Sequence, residues 1–385
     1  MDLYLQFYNS VPYTYNTGKP TSYLENGFSY IWEVEPQWID FDKPLTIGDE
    51  IRKASKVYIS LWNWFEFKRA FTWAKKYFPS TKFVFGGPLI RFFSREVHFK
   101  DIAAWPLNVE IHEGLAEELI GKKPDKTSWK LVPPKDSQHP FYSYHIQDGC
   151  YWNKCTFCHY TEGTFRGDFK LEPLHDAPAG TVWLECPSLP PKYLYYLPYL
   201  DFTNKDYQMF VRAEKPIERV LKQIASKISD TSKIMFRIGI EFPSERKLSK
   251  MNKGITFEEM LTTLNTIHEL GFRQMLLYIC KWRDLLPSDL DEAKKFLDSL
   301  HDTKDARTFH ALSRLVVFGI DDSTTWHHQF FKKYWHFYAL EPEYEKLDNE
   351  WISLVRNRPG FVHNPYFEWS MSLPTDEEIN GRSAN

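Results

Sequence analysis

The sequence predicts an α/β protein in two parts, an open parallel sheet followed by a partial (β/α) barrel, with an aromatic-rich C-terminal extension. Three observations predict it. Short apolar runs alternate with amphipathic stretches in two separate series, as βα units do. A stretch rich in Pro and Lys, without periodicity, divides the two series at 122–140 and reads as a linker. At 385 residues, and roughly 150 residues per domain, the chain has room for two or three cores.

In the first part, TIGDEIRKAS from Thr46 reads as a short helix and SKVYISLW as a mostly apolar strand. FEFKRAFTWAKKYF repeats Phe67, Ala70, Phe71, Ala74 and Phe78 at helical spacing, and KFVFGGP is a second buried strand. Strand, helix and strand joined by short connections make a right-handed parallel unit. LNVEIHEGLAEELIG adds a strand and a helix closed by Gly121, which completes a Rossmann-like open sheet over 1–121. The first 45 residues carry no assigned element.

The second series covers 141–321. YSYHIQDG is a strand that runs into GCYWNKCTFCHY, and GTVWLECP, YQMFVRAE, KIMFRIGIE, FRQMLLYIC and FHALSRLVVFGI are further strands. Between them KPIERVLKQIASKI sets Val220, Leu221, Ile224 and Ile228 on one helical face, and SDLDEAKKFLDSL is another helix. In TFEEMLTTLNTIHELG, Thr256 and Glu259 suit a capping box, Met260, Leu264 and Ile267 form a stripe, and Gly271 ends the helix. The extension, 322–385, is expected to be helical from Trp326 and to pack across the barrel opening.

Lys and Arg number 48 against 51 Asp and Glu, a net charge of −3, so the basic face that grips phosphates is missing and nucleic acid is excluded as a partner. The longest apolar run, MLLYIC, is far short of the roughly 20 residues that span a bilayer, and MDLYLQFYNS has no signal pattern. A cytoplasmic protein with no membrane partner is expected. Aromatics reach 17%, which hints at a hydrophobic or aromatic small molecule, or a peptide, as substrate, although rings in such numbers are more often core.

Five cysteines in a chain of this length are no disulfide framework. Cys150, Cys155 and Cys158 lie within nine residues, and three thiolates on one loop can chelate a soft metal centre. Structural zinc usually takes four ligands in pairs; no second pair follows, and His159 stands beside the trio. A three-thiolate set suits a four-iron four-sulfur cluster with one iron open to a chelating ligand. Cys186 and Cys280 end strands; core thiols and groups facing the site are both open readings.

A cysteine loop directly after the first strand of a βα series, with Phe157 before its last cysteine, resembles the radical S-adenosylmethionine enzymes. GIEFPSERKLSKMNKGITFEEML is similar to the fourth-strand segment of that superfamily, Gly-Leu-Glu-Ser-Gly-Ser followed by a Leu-x-x-Met-Asn-Lys-Gly turn. The resemblance covers about Thr46 to Asp321. It implies a 4Fe-4S cluster on Cys150, Cys155 and Cys158, with S-adenosylmethionine on the open iron. It also places Phe157 near the adenine, Glu185 at the methionine amine, Arg212 as the basic residue of the third strand, and Glu241 and Ser244 at the ribose and carboxylate. A solvated or helix-capping role is the plain alternative for such strand-end groups. The loop departs from the family in having four residues, Tyr151 to Lys154, between its first two cysteines where three are usual. An enzyme of this kind takes an electron from a donor such as flavodoxin or ferredoxin and cleaves S-adenosylmethionine to a 5'-deoxyadenosyl radical.

The series SKVYISLW, helix, KFVFGGP and VEIHEG resembles the cobalamin-binding domain that precedes the radical core in one subgroup. This implies cobalamin at the strand ends near Ser60, Gly86 and Gly87, where an open α/β sheet takes its ligands, and methylation of an unactivated carbon. No Asp-x-His-x-x-Gly motif offers cobalt a lower ligand. The alternatives are a cobalamin-free radical rearrangement, cyclisation or oxidation, or, in another class, an interaction protein that holds zinc structurally.

Overall fold

The computed structural model describes residues 2–8, 13–14, 20–21, 37–40, 47–61, 64–87, 90, 106–112, 141–156, 158, 166–167, 169–177, 179–280, 282, 284–301, 307–314 and 342–362. The helix ending at Gly121, the stretch 122–140, Phe157, His159 and the extension before 342 and after 362 lie outside the described residues. The chain divides into two compact units, one of 1–138 with 317–338 and 368–385, the other of 139–316 with 339–367.

Five parallel strands build the first unit: β1 (Leu3–Tyr8), β2 (Gln37–Asp40), β3 (Val57–Ser60), β4 (Phe83–Gly86) and β5 (Val109–Ile111). Their order is β2-β1-β3-β4-β5, so the direction of winding reverses between β1 and β3. β1 and β2 fall in the stretch left without an element. In LYLQFY the buried Leu3 and Leu5 alternate with their neighbours, the pattern of a half-buried strand. Helices α1 (Gly48–Lys53) and α2 (Trp64–Thr72) follow the expected spacing. After α2 the chain widens into a π turn at Trp73–Tyr77, where the Phe78 N–H donates to the Trp73 carbonyl at 2.8 Å. That turn puts Trp73 and Ala74 in the core with Phe67, Ala70 and Phe78. The Asn108 amide then gathers the carbonyls of Ala74, Phe78 and Thr81 at 2.8–3.1 Å, satisfying groups that the helix end leaves open.

The second unit is a sheet of six parallel strands in chain order: β6 (Phe141–His145), β7 (Gly180–Glu185), β8 (Lys205–Val211), β9 (Ile234–Glu241), β10 (Arg273–Cys280) and β11 (Thr308–Arg314). Register sets Val182, Tyr207, Met209, Phe236, Ile238 and Leu276 on one fully buried face. The opposite face carries Trp183, Gln208, Arg212 and Arg237. There Arg237 donates twice to Gln208 Oε1, at 3.1 and 2.8 Å, and lies 4.4 Å over the Trp183 ring.

Helices α3 (Lys215–Ile224), α4 (Glu245–Lys250), α5 (Phe257–Glu269) and α6 (Pro287–Asp298) join these strands. α5 stops in a Schellman motif: Gly271, at φ +83°, donates to His268 and Phe272 donates to Ile267. The capping box at its start is half formed. Thr256 Oγ1 accepts from the Glu259 N–H at 3.2 Å, whereas the Glu259 carboxylate accepts from the Lys215 N–H at 2.7 Å and so ties α5 to α3.

The described part of the extension is helical, as α7 (Pro342–Arg356). Its fully buried Trp351 donates to the Ile279 carbonyl at 2.9 Å and packs on Phe242 and Tyr278. Tyr278 shares the face of Leu276, so α7 joins the buried face at β10 and β11. Residues 360–362 run beside β11, with His310 N–H donating to Gly360 and Val362 N–H donating to His310. Among the described residues no helix is long and apolar enough to cross a membrane.

Leu264, fully buried on α5, tests this packing. Leu264→Ala should lower the unfolding free energy by about 2–5 kcal/mol in urea titration, whereas Glu258→Ala on the exposed face of α5 should change little. A loss under about 1 kcal/mol for Leu264→Ala would show that α5 is not bedded on the sheet.

Candidate functional site

The cysteine loop leaves the carboxyl end of β6 and is pinched at its base, where Gln147–Asp148 pairs antiparallel with Arg166–Gly167. Gly149, at φ +73°, turns the chain into it. Cys150, Cys155 and Cys158 are half-buried and in no disulfide among the described residues, and the Cys158 N–H donates to the Cys155 carbonyl at 3.3 Å.

The loop is seated on the turn that follows α4. Thr156 donates its N–H to Met251 at 3.0 Å and its hydroxyl to Lys250 at 3.1 Å. Asn252 donates its amide to the Lys154 carbonyl at 2.9 Å, and the Trp152 indole donates to the Asn252 carbonyl at 2.8 Å. Asn153, Asn252 and Gly254 all take left-handed backbone, the region that Gly and Asn tolerate best. The two segments that carried the sequence resemblance therefore touch each other.

Charged groups line the same place. Arg212, just past β8, donates to Glu214 at 2.9 Å and to the Lys253 carbonyl, and its guanidinium lies 4.6 Å over the Trp152 ring. Glu214 also accepts the Tyr151 hydroxyl at 2.6 Å; burial, then the Glu214 charge, pushes that phenol far above its ordinary range. The Lys253 ammonium donates to the Gly239 carbonyl at 2.6 Å and to Glu241 at 3.1 Å. Glu241 stands at φ +63° where the β9–β10 register slips between Gly239 and Glu241, a conformation that survives because its surroundings hold it. Burial pushes the Cys155 thiol up, and Lys253 and Arg212 pull it back toward the thiolate that a metal requires.

Below this shelf, α4 is anchored by charge. Ser244, Arg246 and the Leu286 N–H all donate to Asp289; Lys247, Lys250 and Arg246 converge on Asp284. Burial would raise both carboxyls, but the cations outweigh it and hold Asp284 and Asp289 below the usual range. Burial brings the Lys247 ammonium down to about 8 against the attraction of Asp284.

Of the residues singled out from sequence, the three cysteines, Arg212 and Glu241 share this carboxyl edge, and Glu185 ends β7 in register with His145. Ser244 has a structural task. It is fully buried, accepts from the Lys247 N–H at 3.2 Å as the N-cap of α4, and donates to Asp289 at 2.8 Å, so its hydroxyl serves the capping role, the plain alternative for such a group. Cys186 and Cys280 are buried. In the other unit, Ser60, Gly86 and Gly87 stand at adjoining strand ends. The Leu61 N–H donates to Gly86 at 2.9 Å, and a Cβ on Gly87, at φ +92°, would come within 2.7 Å of Leu61 N and 2.8 Å of Ser60 Oγ. The freedom of Gly87 is therefore used by its own neighbouring strand. Trp152, Tyr151, Glu214 and Lys253 had no signal of their own; the Met-Asn-Lys-Gly turn was the clue available.

Among the described residues, no three His, Cys, Asp or Glu side chains converge as the ligands of a single ion do. An iron-sulfur cluster takes its thiolates on separate irons, so three cysteines distributed along one loop fit its donor chemistry.

No family model matches the chain, and no curated protein matches it in sequence. Solved structures match it in fold. The cobalamin-dependent S-adenosylmethionine radical enzyme OxsB, with aqua-cobalamin and S-adenosylmethionine bound, aligns at a TM-score of 0.51 and 15% identity over 94% of this chain, and the chain covers 57% of OxsB. The radical S-adenosylmethionine methyltransferase TsrM from Kitasatospora setae, with cobalamin and a [4Fe-4S] cluster bound, aligns at 0.53 and 13% identity, covering 82% of this chain and 76% of TsrM. TsrM with tryptophan substrate and a S-adenosylmethionine analogue aligns at 0.53 and 14%. The chain shares the fold of OxsB and TsrM.

The α4 anchor generates a pH prediction. Carboxyls held low in the folded state stabilise it fully above the unfolded value near 3.9 and lose that contribution as pH falls through the folded one. Unfolding free energy should therefore decline below about pH 4. Asp284→Asn should lower stability at pH 7 and flatten the decline in urea titrations at stepped pH; identical acid slopes in the two proteins would remove Asp284 from the account.

Proposed function

We propose that this chain is a radical S-adenosylmethionine enzyme, with Cys150, Cys155 and Cys158 as the thiolate ligands of a 4Fe-4S cluster, and that it methylates an unactivated carbon with the help of cobalamin. The observation that carries the reading is the loop itself: a segment with three cysteines leaves the first strand of a six-stranded parallel sheet and is seated, through Trp152 and Lys154, on the Met251–Gly254 turn. The reading is supported by the shared fold of OxsB, named a cobalamin-dependent S-adenosylmethionine radical enzyme, and TsrM, named a radical S-adenosylmethionine methyltransferase.

When bound, the cluster supplies the electron and the open iron for reductive cleavage of S-adenosylmethionine, and methylcobalamin supplies the methyl group. The chain's residues do the remaining work. Each cysteine gives up its proton on binding iron, and Arg212 and Lys253 place two positive charges beside the loop that favour the thiolate form. Glu241, held by Lys253, offers a carboxylate acceptor at the strand edge, suited to an ammonium or a ribose hydroxyl. Glu185, at the same edge by register, and Phe157, by its place in the loop, take the methionine amine and the adenine. The first unit is Rossmann-like: its strand order reverses between β1 and β3, and the ends of these strands, beside Ser60, Gly86 and Gly87, are where cobalamin would lie. The substrate is a hydrophobic or aromatic small molecule or peptide, and flavodoxin or ferredoxin supplies the electron.

Protein purified without oxygen should be brown, with about four irons per chain, and should release 5'-deoxyadenosine from S-adenosylmethionine when reduced. Alanine at any one of Cys150, Cys155 or Cys158 should abolish the release, and Cys186→Ala should preserve it. Colourless protein carrying stoichiometric zinc would overturn the cluster. Failure to bind hydroxocobalamin at high micromolar concentration, with the cluster intact, would remove methyl transfer alone.

A further inference from the structure

We infer that Trp152 is the positioning residue that seats the lengthened cysteine loop, its indole keyed against Gly254 so that Cys150 and Cys155 stand where a cluster is retained. The inference rests on the cluster reading and adds to it a device that the family resemblance does not supply.

A loop with four residues between Cys150 and Cys155 has one more than the usual three, and the surplus must be folded away without moving the thiols. Here the backbone reverses at Asn153, with φ +42°, which turns the Trp152 ring onto the Met251–Gly254 turn. The fit at Gly254 leaves no slack. A Cβ built there would overlap the Cζ2 and Cη2 atoms of the Trp152 ring, and φ +64° disfavours a side chain independently. The other sides of the ring are also engaged. Its N–H donates to the Asn252 carbonyl at 2.8 Å, the Arg212 guanidinium lies 4.6 Å from its centre, and the Lys154 ammonium lies 5.0 Å away. Asn252 in turn holds the Lys154 carbonyl, one residue before Cys155, so the contact of Trp152 is carried directly to a thiol-bearing residue. Outer contacts of this kind set ligand position as much as the ligands do.

The test uses full-length Trp152→Ala, Trp152→Phe, Gly254→Ala and the Trp152→Ala/Gly254→Ala double variant. Iron and sulfide are counted after anaerobic reconstitution, iron loss to a ferrous chelator is timed, and amide exchange across 150–158 is followed in cluster-free protein. Circular dichroism and urea midpoints establish that each variant keeps the sheet. Trp152→Ala and Gly254→Ala should each shed iron about tenfold faster or more and should both raise exchange at Thr156, whose N–H is bonded to Met251. Trp152→Phe, which keeps a ring but not the indole N–H, should fall between. Because removing the ring makes room for a Cβ, the double variant should be no worse than the worse single one. Wild-type iron retention and wild-type exchange in Trp152→Ala, or additive losses in the double variant, would overturn the inference. Absence of iron from the wild type would instead refute the cluster, and exchange in the cluster-free proteins would still decide whether Trp152 seats the loop.

Discussion

Parallel pairing in chain order is the constraint on which the site depends. When six strands pair each with the next and all run the same way, every crossover returns the chain to the start of a strand and every carboxyl end falls on one edge. The cysteine loop after β6, Arg212 and Glu214 after β8, and Glu241 at the end of β9 meet for that reason alone. One uniformly buried face, with Tyr207, Met209, Phe236, Ile238 and Leu276, leaves the opposite face free to carry Gln208, Arg212 and Arg237. The packed face is mostly apolar, and the polar groups it does carry toward β10 and β11, Gln274, Thr308 and His310, are hydrogen-bonded there.

The mount for the cysteine loop is a helix with too few residues to be stable by itself. Six residues fall well below the roughly 12–15 needed for a marginal helix in water, so α4 is held by what surrounds it. Three of the six are cations, and Asp284 and Asp289 meet them from beyond β10. Buried charge contributes less to net stability than an apolar packing of the same volume, but an unpaired partner is costly. The arrangement thus favours one placement of α4, and of the turn after it, over its alternatives. α5 is the contrast: an apolar stripe, a cap and a Schellman stop suffice to place it.

How much of this could be read from the sequence follows the range of the interaction. KIMFRIGIE and TFEEMLTTLNTIHELG carry their own periods, and Gly271 its own stop, so strand, helix and boundary were legible locally. LYLQFY and QWID are short and mix polar with apolar residues, and only their pairing with one another and with β3 makes them strands. A serine at a strand-to-helix turn looks alike whether or not it caps; for Ser244 the cap is completed by Asp289, 45 residues away. The seat of the cysteine loop joins residues about 100 apart, as Trp152 and Asn252 are, which no periodicity encodes. Each half was visible as a motif, and their contact was not.

The short run at 360–362 beside β11 has a consequence for the newborn chain. A sheet assembled in chain order has a raw edge at its latest strand, with bare N–H and carbonyl groups that another polypeptide can adopt. Here His310 exchanges hydrogen bonds with Gly360 and Val362, so cover for the edge is encoded well downstream of β11. At about 5–20 residues per second, the interval from Arg314 to Gly360 takes roughly 2–9 s on the ribosome. For those seconds the nascent sheet is sticky on one side, and a message cut short before the Gly360 codon would yield a polypeptide that stays so.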